Sequence, residues 1–213
     1  SYFSKKIYLT NNKTAEISKL VENSYRNVQI GFVNELANYA FKKNLDVKEI
    51  IKLSNLHPRI NLLNPGIGVG GHCIPIDPFY LTYKAREYDT PTRFIELAGE
   101  INNKMPYYVV SKTSEALNKY LSKSINGSNI LLVGMAYKKD NDDMRESPSL
   151  KIYEMLMDEG AILSFYDKNI QSIPCIRGYE RFGGAKSIEL SPSSLSEYDI
   201  VIIATNHTNC DYS

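Results

Sequence analysis

The chain has almost no net charge: 25 Lys and Arg stand against 24 Asp and Glu in 213 residues, a formal +1. Binding nucleic acid or an acidic surface through charge needs a basic excess, so neither is an expected partner. No block of like charge forms a tail. Apolar runs long enough to span a bilayer are lacking, and no signal-peptide pattern opens the sequence, so no membrane partner is expected. Cysteine is scarce. Cys73, Cys175 and Cys210 are odd in number and scattered, which argues against a disulfide framework and for a reducing, cytoplasmic setting. Only three histidines are present, and His72, Cys73 and Asp77 are the only clustered ligand types, so no metal site is expected. There is no internal repeat. The length suffices for one large or two small domains with a sizeable core.

What is present centres on Asn64-Pro65-Gly66-Ile67-Gly68-Val69-Gly70-Gly71-His72-Cys73-Ile74-Pro75-Ile76-Asp77-Pro78. Four glycines within six residues let the backbone take positive φ and approach a ligand closely. Pro75 and Pro78 stiffen the segment around Asp77 and deny it a regular helix. A flexible tether thus runs into a stiff carboxylate-bearing segment, a way to place a thiol beside a small substrate. The glycines are not a dinucleotide fingerprint, because prolines stand where its helix should run. On residues alone, Cys73 reads either as a nucleophile or as a small buried hydrophobe.

Around this stretch the pattern is helical, then α/β. Ile7-Tyr8-Leu9-Thr10 is a strand or an extended entry. Thr14 reads as an N-cap, and a proline-free helix runs from Ala15 to about Lys43, roughly 40 Å at about 1.5 Å per residue. Its apolar positions Ile17, Leu20, Val21, Val28, Phe32, Leu36, Tyr39 and Ala40 recur at helical spacing. Lys19, Asn23, Arg26, Asn27 and Asn34 share an arc of about 100°. Asparagine is a poor helix former, yet the ordinary reading of such a face is a solvated one. A shorter helix is expected over Leu45–Asn55, capped by Asp46 and ended by His57-Pro58. Pro78–Tyr88 is helical, and so is Thr92–Leu121, where Pro106 should kink or split the helix near 102–105. After a polar linker, Asn129–Gly134, Ile162–Asp167 and Ile200–Thr205 read as buried parallel strands, with Ser147-Pro148 opening a helix that Gly160 closes. Strand, helix, strand and later strand describe a doubly wound sheet, with Lys138 and Asp167 off the carboxyl ends where ligands bind.

Gly68 to Leu81, Gly-Val-Gly-Gly-His-Cys-Ile-Pro-Ile-Asp-Pro-Phe-Tyr-Leu, resembles the active-site loop of the nucleotide-sugar 6-dehydrogenases. Ala15-Glu16-x-x-Lys19-Leu20-x-Glu22-Asn23-x-x-Arg26 with Asn34-Glu35 is similar to the family's central helix. Gly134-Met135-Ala136-Tyr137-Lys138-Lys139-Asp140-x-Asp142-Asp143-x-Arg145-Glu146-Ser147-Pro148 is similar to the first loop of its UDP-binding domain. His57-Pro58-Arg59-x-Asn61 is most similar to the branch acting on UDP-N-acetyl-D-mannosamine. Branches acting on UDP-N-acetylglucosamine or UDP-glucose are the alternatives. The resemblance covers essentially the whole chain.

It implies an all-helical central dimerisation domain over 1–123, including a long connecting helix, and a doubly wound UDP-binding domain over 124–213. The latter is expected to be incomplete at its C-terminal end. It also implies a preceding NAD-binding domain, and nothing here supplies that domain's Gly-x-Gly-x-x-Gly after a first strand, so the chain is expected to be a fragment that transfers no hydride alone. The implied reaction is a four-electron oxidation of the sugar C6 to the acid, with two hydrides passing to NAD. Cys73 is the implied nucleophile, forming a thiohemiacetal and then a thioester, since an aldehyde gives up hydride once an adduct supplies an oxyanion. Lys19 and Asn23 stabilise that oxyanion, Lys19 also favours the thiolate, and Asp77 orients the hydrolytic water. Gly70, His72 and Lys138 contact the UDP-sugar, Arg59 reaches the substrate of the other subunit in a homodimer, and Arg145 reaches NAD. Against these roles, Lys138 is otherwise a surface lysine and Arg145 a salt-bridge partner of Asp142 or Glu146. The rival class is a non-catalytic dimerisation and nucleotide-binding module.

Overall fold

The computed structural model describes residues 7–208 and 210. Helices come first: α1 (Asn12–Lys42), α2 (Val47–Ser54), α3 (Asp77–Arg86) and α4 (Arg93–Ala116), the last running on as a π-helical turn over Leu117–Leu121. Then follow β1 (Asn129–Val133), α5 (Pro148–Asp158), β2 (Ile162–Tyr166), a 3-10 turn (Glu180–Phe182), the short α6 (Pro192–Leu195) and β3 (Ile200–Ile203). The three strands are parallel in the order β2-β1-β3, with Leu132 opposite both Phe165 and Ile202. The chain therefore turns to opposite sides of β1, which opens a crevice off its carboxyl end, the usual ligand site of such sheets.

Local chemistry sets the boundaries. Asn11, not Thr14, caps α1: its side chain accepts the Thr14 N–H at 2.9 Å. Both types cap well, and the one three residues upstream receives the bond. Ile7 to Thr10 forms no strand. Asp46 caps α2 and Ser147 caps α5 with Pro148 in its first turn, as expected. Asp77 is itself helical, because proline is well accommodated in a helix's first turn. α4 is not split at Pro106. The carbonyl that loses its partner there is that of Asn102, and it faces Gly68, where a Cβ would lie 3.3 Å from it.

α1 packs on α3 and α4 with only part of the face its periodicity suggests: Ala40 is buried and Leu20, Val28 and Leu36 are half-buried. Asn23, Asn27 and Asn34 are buried, while Ile17, Val21, Phe32 and Tyr39 are exposed. Apolar spacing finds an amphipathic helix without saying which side meets its own chain. The inward side carries Gly31, Val33 and Ala40 together with a hydrogen-bonded asparagine network, which makes much of it polar. The sheet half has an ordinary apolar core built on Ile130, Leu132, Leu150, Leu156 and Phe165, and Val110 of α4 and Leu117 of the π-helical turn that continues it belong to it.

Candidate functional site

The cysteine loop is fixed from three sides. Its far end is held by its own backbone: the Cys73 carbonyl accepts the N–H groups of Ile76 (3.1 Å) and Asp77 (2.8 Å), so the thiol-bearing residue sits one tight turn before α3. Across from it, Asn23 of α1 donates from Nδ2 to Asp77 Oδ2 at 2.6 Å. Cys73 and His72 are exposed, so the buried-hydrophobe reading of this cysteine is set aside.

The near end hangs on buried asparagines. Gly66 N–H donates to Asn34 Oδ1 (2.8 Å), Asn34 Nδ2 to Asn102 Oδ1 (2.9 Å), and Asn102 Nδ2 to both the carbonyl (3.0 Å) and Oδ1 (2.8 Å) of Asn27. These asparagines are at most 4% exposed, so the polar face of α1 is solvated only at Lys19 and Arg26. Asn102 is not among the site residues the sequence singles out; in Asn102-Asn103 within a long helix nothing marks which asparagine turns inward.

The middle of the loop is wedged against the sheet half. Gly71 has φ +86° and donates its N–H to the Arg145 carbonyl at 2.9 Å. A Cβ on Gly70 would lie 2.6 Å from Tyr137 Cβ and 2.8 Å from the Glu146 carbonyl. The glycines therefore let one part of the chain close on another, in addition to any close approach to a ligand. Gly70→Ala is expected to cost about 1–3 kcal/mol of stability as an overpacked contact. An unchanged melting temperature would refute that close fit.

The sheet half brings a charged loop to the same place. Arg145 donates from Nε and Nη2 to Asp143, with Nη2 2.6 Å from Oδ2. This pairing holds the Asp143 carboxyl below the usual carboxylate range and raises the Arg145 guanidinium. The expected partners Asp142 and Glu146 are not used. Asp143 lies two residues before Arg145, where its carboxylate also accepts the Arg145 backbone N–H. Arg145 lies within electrostatic reach of Cys73, and Asp143 of His72.

Not every predicted residue joins this cluster. Lys19 stands one turn before Asn23 on α1, but it pairs with Glu22 at 3.1 Å on the solvent side. Arg59 is exposed, and its backbone N–H donates to His57 Nδ1. Lys138 is exposed on the loop after β1. Asp167 does not face a ligand crevice. It is 1% exposed and accepts the N–H groups of Met135 (2.7 Å) and Ala136 (3.1 Å). A separate apolar concavity of about 600 Å³ along α3, lined by Phe79, Tyr80 and Tyr83, includes none of the predicted residues.

Comparison with known proteins gives this arrangement a lineage. Residues 13–104 match the central domain of the UDP-glucose/GDP-mannose dehydrogenase family, and residues 131–213 match its UDP binding domain. UDP-N-acetyl-D-mannosamine dehydrogenase of Methanocaldococcus jannaschii is 44% identical over 163 residues, 76% of this chain and 36% of that protein. The enzyme of the same name from Campylobacter jejuni is 40% identical over 200 residues, 93% of this chain and 46% of that protein. The solved structure of UDP-D-ManNAc dehydrogenase from Pyrococcus horikoshii superposes with a TM-score of 0.82 at 34% identity, covering 95% of this chain and 44% of that one. The chain thus spans less than half the length of these relatives. With a helical half and a parallel-sheet half that each match, it belongs to the UDP-glucose/GDP-mannose dehydrogenase family, of which it carries the central and UDP-binding domains.

Proposed function

We propose that this chain supplies the thiol loop and the UDP-binding part of an NAD-dependent UDP-sugar 6-dehydrogenase, and that its sugar is UDP-N-acetyl-D-mannosamine. The observation that carries the reading is the juxtaposition of an exposed Cys73 with the Asn23–Asp77 pair across one tight turn. The names of the relatives support the choice of sugar.

Bound NAD supplies the hydride acceptor. On this chain Arg145 fits its phosphates, since Asp143 orients the exposed guanidinium and Nη1 has no hydrogen bond among the described residues. Cys73 Sγ, as thiolate, adds to the C6 aldehyde and gives a thiohemiacetal oxyanion. Loss of hydride from that adduct leaves a thioester. Asn23 fixes Asp77 through Oδ2, so Oδ1 can hold the water that attacks the thioester and releases the acid and the Cys73 thiol. Lys19 reaches the oxyanion by leaving Glu22, an exposed pair that holds it weakly. Lys138 meets the nucleotide, while Gly70 and His72 shape the sugar end. The exposed apolar stripe of α1, with Ile17, Val21, Tyr25 and Phe32, suits a second copy of the chain in a homodimer, and Arg59 would act across that contact. Among the described residues no helix is long and apolar enough to cross a membrane.

Counting NADH from the whole enzyme with UDP-ManNAc, UDP-GlcNAc and UDP-glucose in parallel tests the reading. About two NADH per UDP-ManNAc consumed is expected, one for each hydride. The same yield from UDP-GlcNAc would keep the chemistry and change the sugar. No NADH from any of them would favour the non-catalytic module.

A further inference from the structure

The loop that carries Lys138 is clamped at both ends by buried side chains. Asp167, at the end of β2, fixes its start by accepting from Met135 and Ala136. His207, beyond β3 and 3% exposed, fixes its end: the Asp140 N–H donates to His207 Nδ1 at 3.0 Å. An imidazole nitrogen that accepts carries no proton, so the ring's proton is on Nε2, 3.2 Å from Asp167 Oδ2. One imidazole therefore ties Asp140 to the carboxylate that holds Met135. Thr205 Oγ1 donates to the Ala136 carbonyl (2.7 Å), and Asp140 in turn accepts the Thr208 N–H (2.7 Å). Between these anchors the Tyr137 N–H donates to the Asp143 carbonyl at 3.0 Å, which leaves Lys138 and Lys139, both exposed at the sheet's carboxyl edge. Asp140 has φ +58°, a strained backbone that its neighbours must hold in place.

We propose that His207 is a positioning residue for substrate binding: through the Asp167–His207–Asp140 chain it holds the 135–140 loop so that Lys138 meets the diphosphate of the sugar nucleotide. This rests on the reading of Lys138 as a substrate contact. A lysine is a point charge on a flexible stem, so the loop beneath it sets where that charge stands.

The two ring nitrogens can be tested apart. Gln at 207 keeps a donor toward Asp167 and loses the acceptor for Asp140, whereas Asn keeps an acceptor near the Nδ1 position. Hydrogen exchange on this chain is expected to show the Asp140 amide deprotected in His207→Gln and retained in His207→Asn, with Met135 and Ala136 protected in both. In the whole enzyme His207→Gln should raise KM for the UDP-sugar by about tenfold, the scale of one hydrogen bond, with kcat little changed. His207→Asn should restore it to near wild type. Lys138→Ala should raise KM similarly, and adding His207→Gln to it should raise KM no further. Wild-type exchange at Asp140 in His207→Gln, or effects that multiply in the double variant, would overturn the proposal. So would a silent Lys138→Ala. Failure of the dehydrogenase reading itself is seen separately, in the wild-type NADH assay.

Discussion

Cys73→Ser in the whole enzyme is expected to abolish acid formation, by on the order of 10³-fold or more, while UDP-sugar binding and stability stay at wild-type levels. The structure separates the two effects. Cys73 is exposed, so serine opens no cavity and leaves no buried group unpaired. What holds the loop is the Cys73 carbonyl, not its side chain, and serine retains that carbonyl. The change thus falls on chemistry alone: a serine hydroxyl is a far poorer nucleophile than cysteine sulfur. Assays should pair NADH counting with calorimetric UDP-sugar binding. Cys175→Ser is the control, since Cys175 is also exposed but lies between β2 and the 3-10 turn. Wild-type acid production by Cys73→Ser would remove this residue as the nucleophile, whatever the family pattern.

Asn102→Ala should destabilise the helical half strongly. Asn102 is 2% exposed and its amide uses both ends, accepting from Asn34 and donating to Asn27. Alanine strands a buried donor on Asn34 and the buried Oδ1 of Asn27, and each orphan costs about 1–3 kcal/mol. A total of about 3 kcal/mol corresponds to roughly 6–12 °C in melting temperature for a chain of this size. The Gly66 anchor loses its support at the same stroke, so the thioester-forming step should suffer beyond what stability explains. Asn102→Asp tests the polarity of the chain: it keeps an acceptor for Asn34 but faces the acceptors of Asn27 with a buried carboxylate, and should be at least as damaging. A melting temperature within about 2 °C of wild type, under 1 kcal/mol, would show that the network does not hold the loop.

Sequence reasoning reached some of this and missed some for identifiable reasons. The strands, the Asp46 and Ser147 caps and the reach of α1 follow from apolar spacing and terminus chemistry, and the structure has them. The Asn23–Asp77 contact joins positions 54 residues apart, and only the family pattern had put both in one site. Periodicity treats asparagine as surface, so the inward turn of Asn27 and Asn34 was invisible to it. The glycines were legible as a place of close approach, but not what approaches, because Tyr137 and Glu146 lie about seventy residues on. Arg145 was expected to pair with a neighbour, but its choice of Asp143 is set by a local turn that charge spacing does not encode. Asp167 and His207 illustrate the same limit: buried polar groups are defined by their partners, and the partners come from three separate loops.

α4 has a consequence for how the protein comes apart. It is one helix, but Ala98 and Met105 are buried in the half where it packs on α1, and Val110, with Leu117 just beyond its end, in the core of the sheet half. Neither half can open without taking away a wall of the other. Local opening, the usual entry for a protease at the join of two-part proteins, therefore finds no cheap partial state there. Residues 122–124, just after Leu121, are exposed, yet a cut there leaves α4 seated in both cores, so the nicked pieces should stay together.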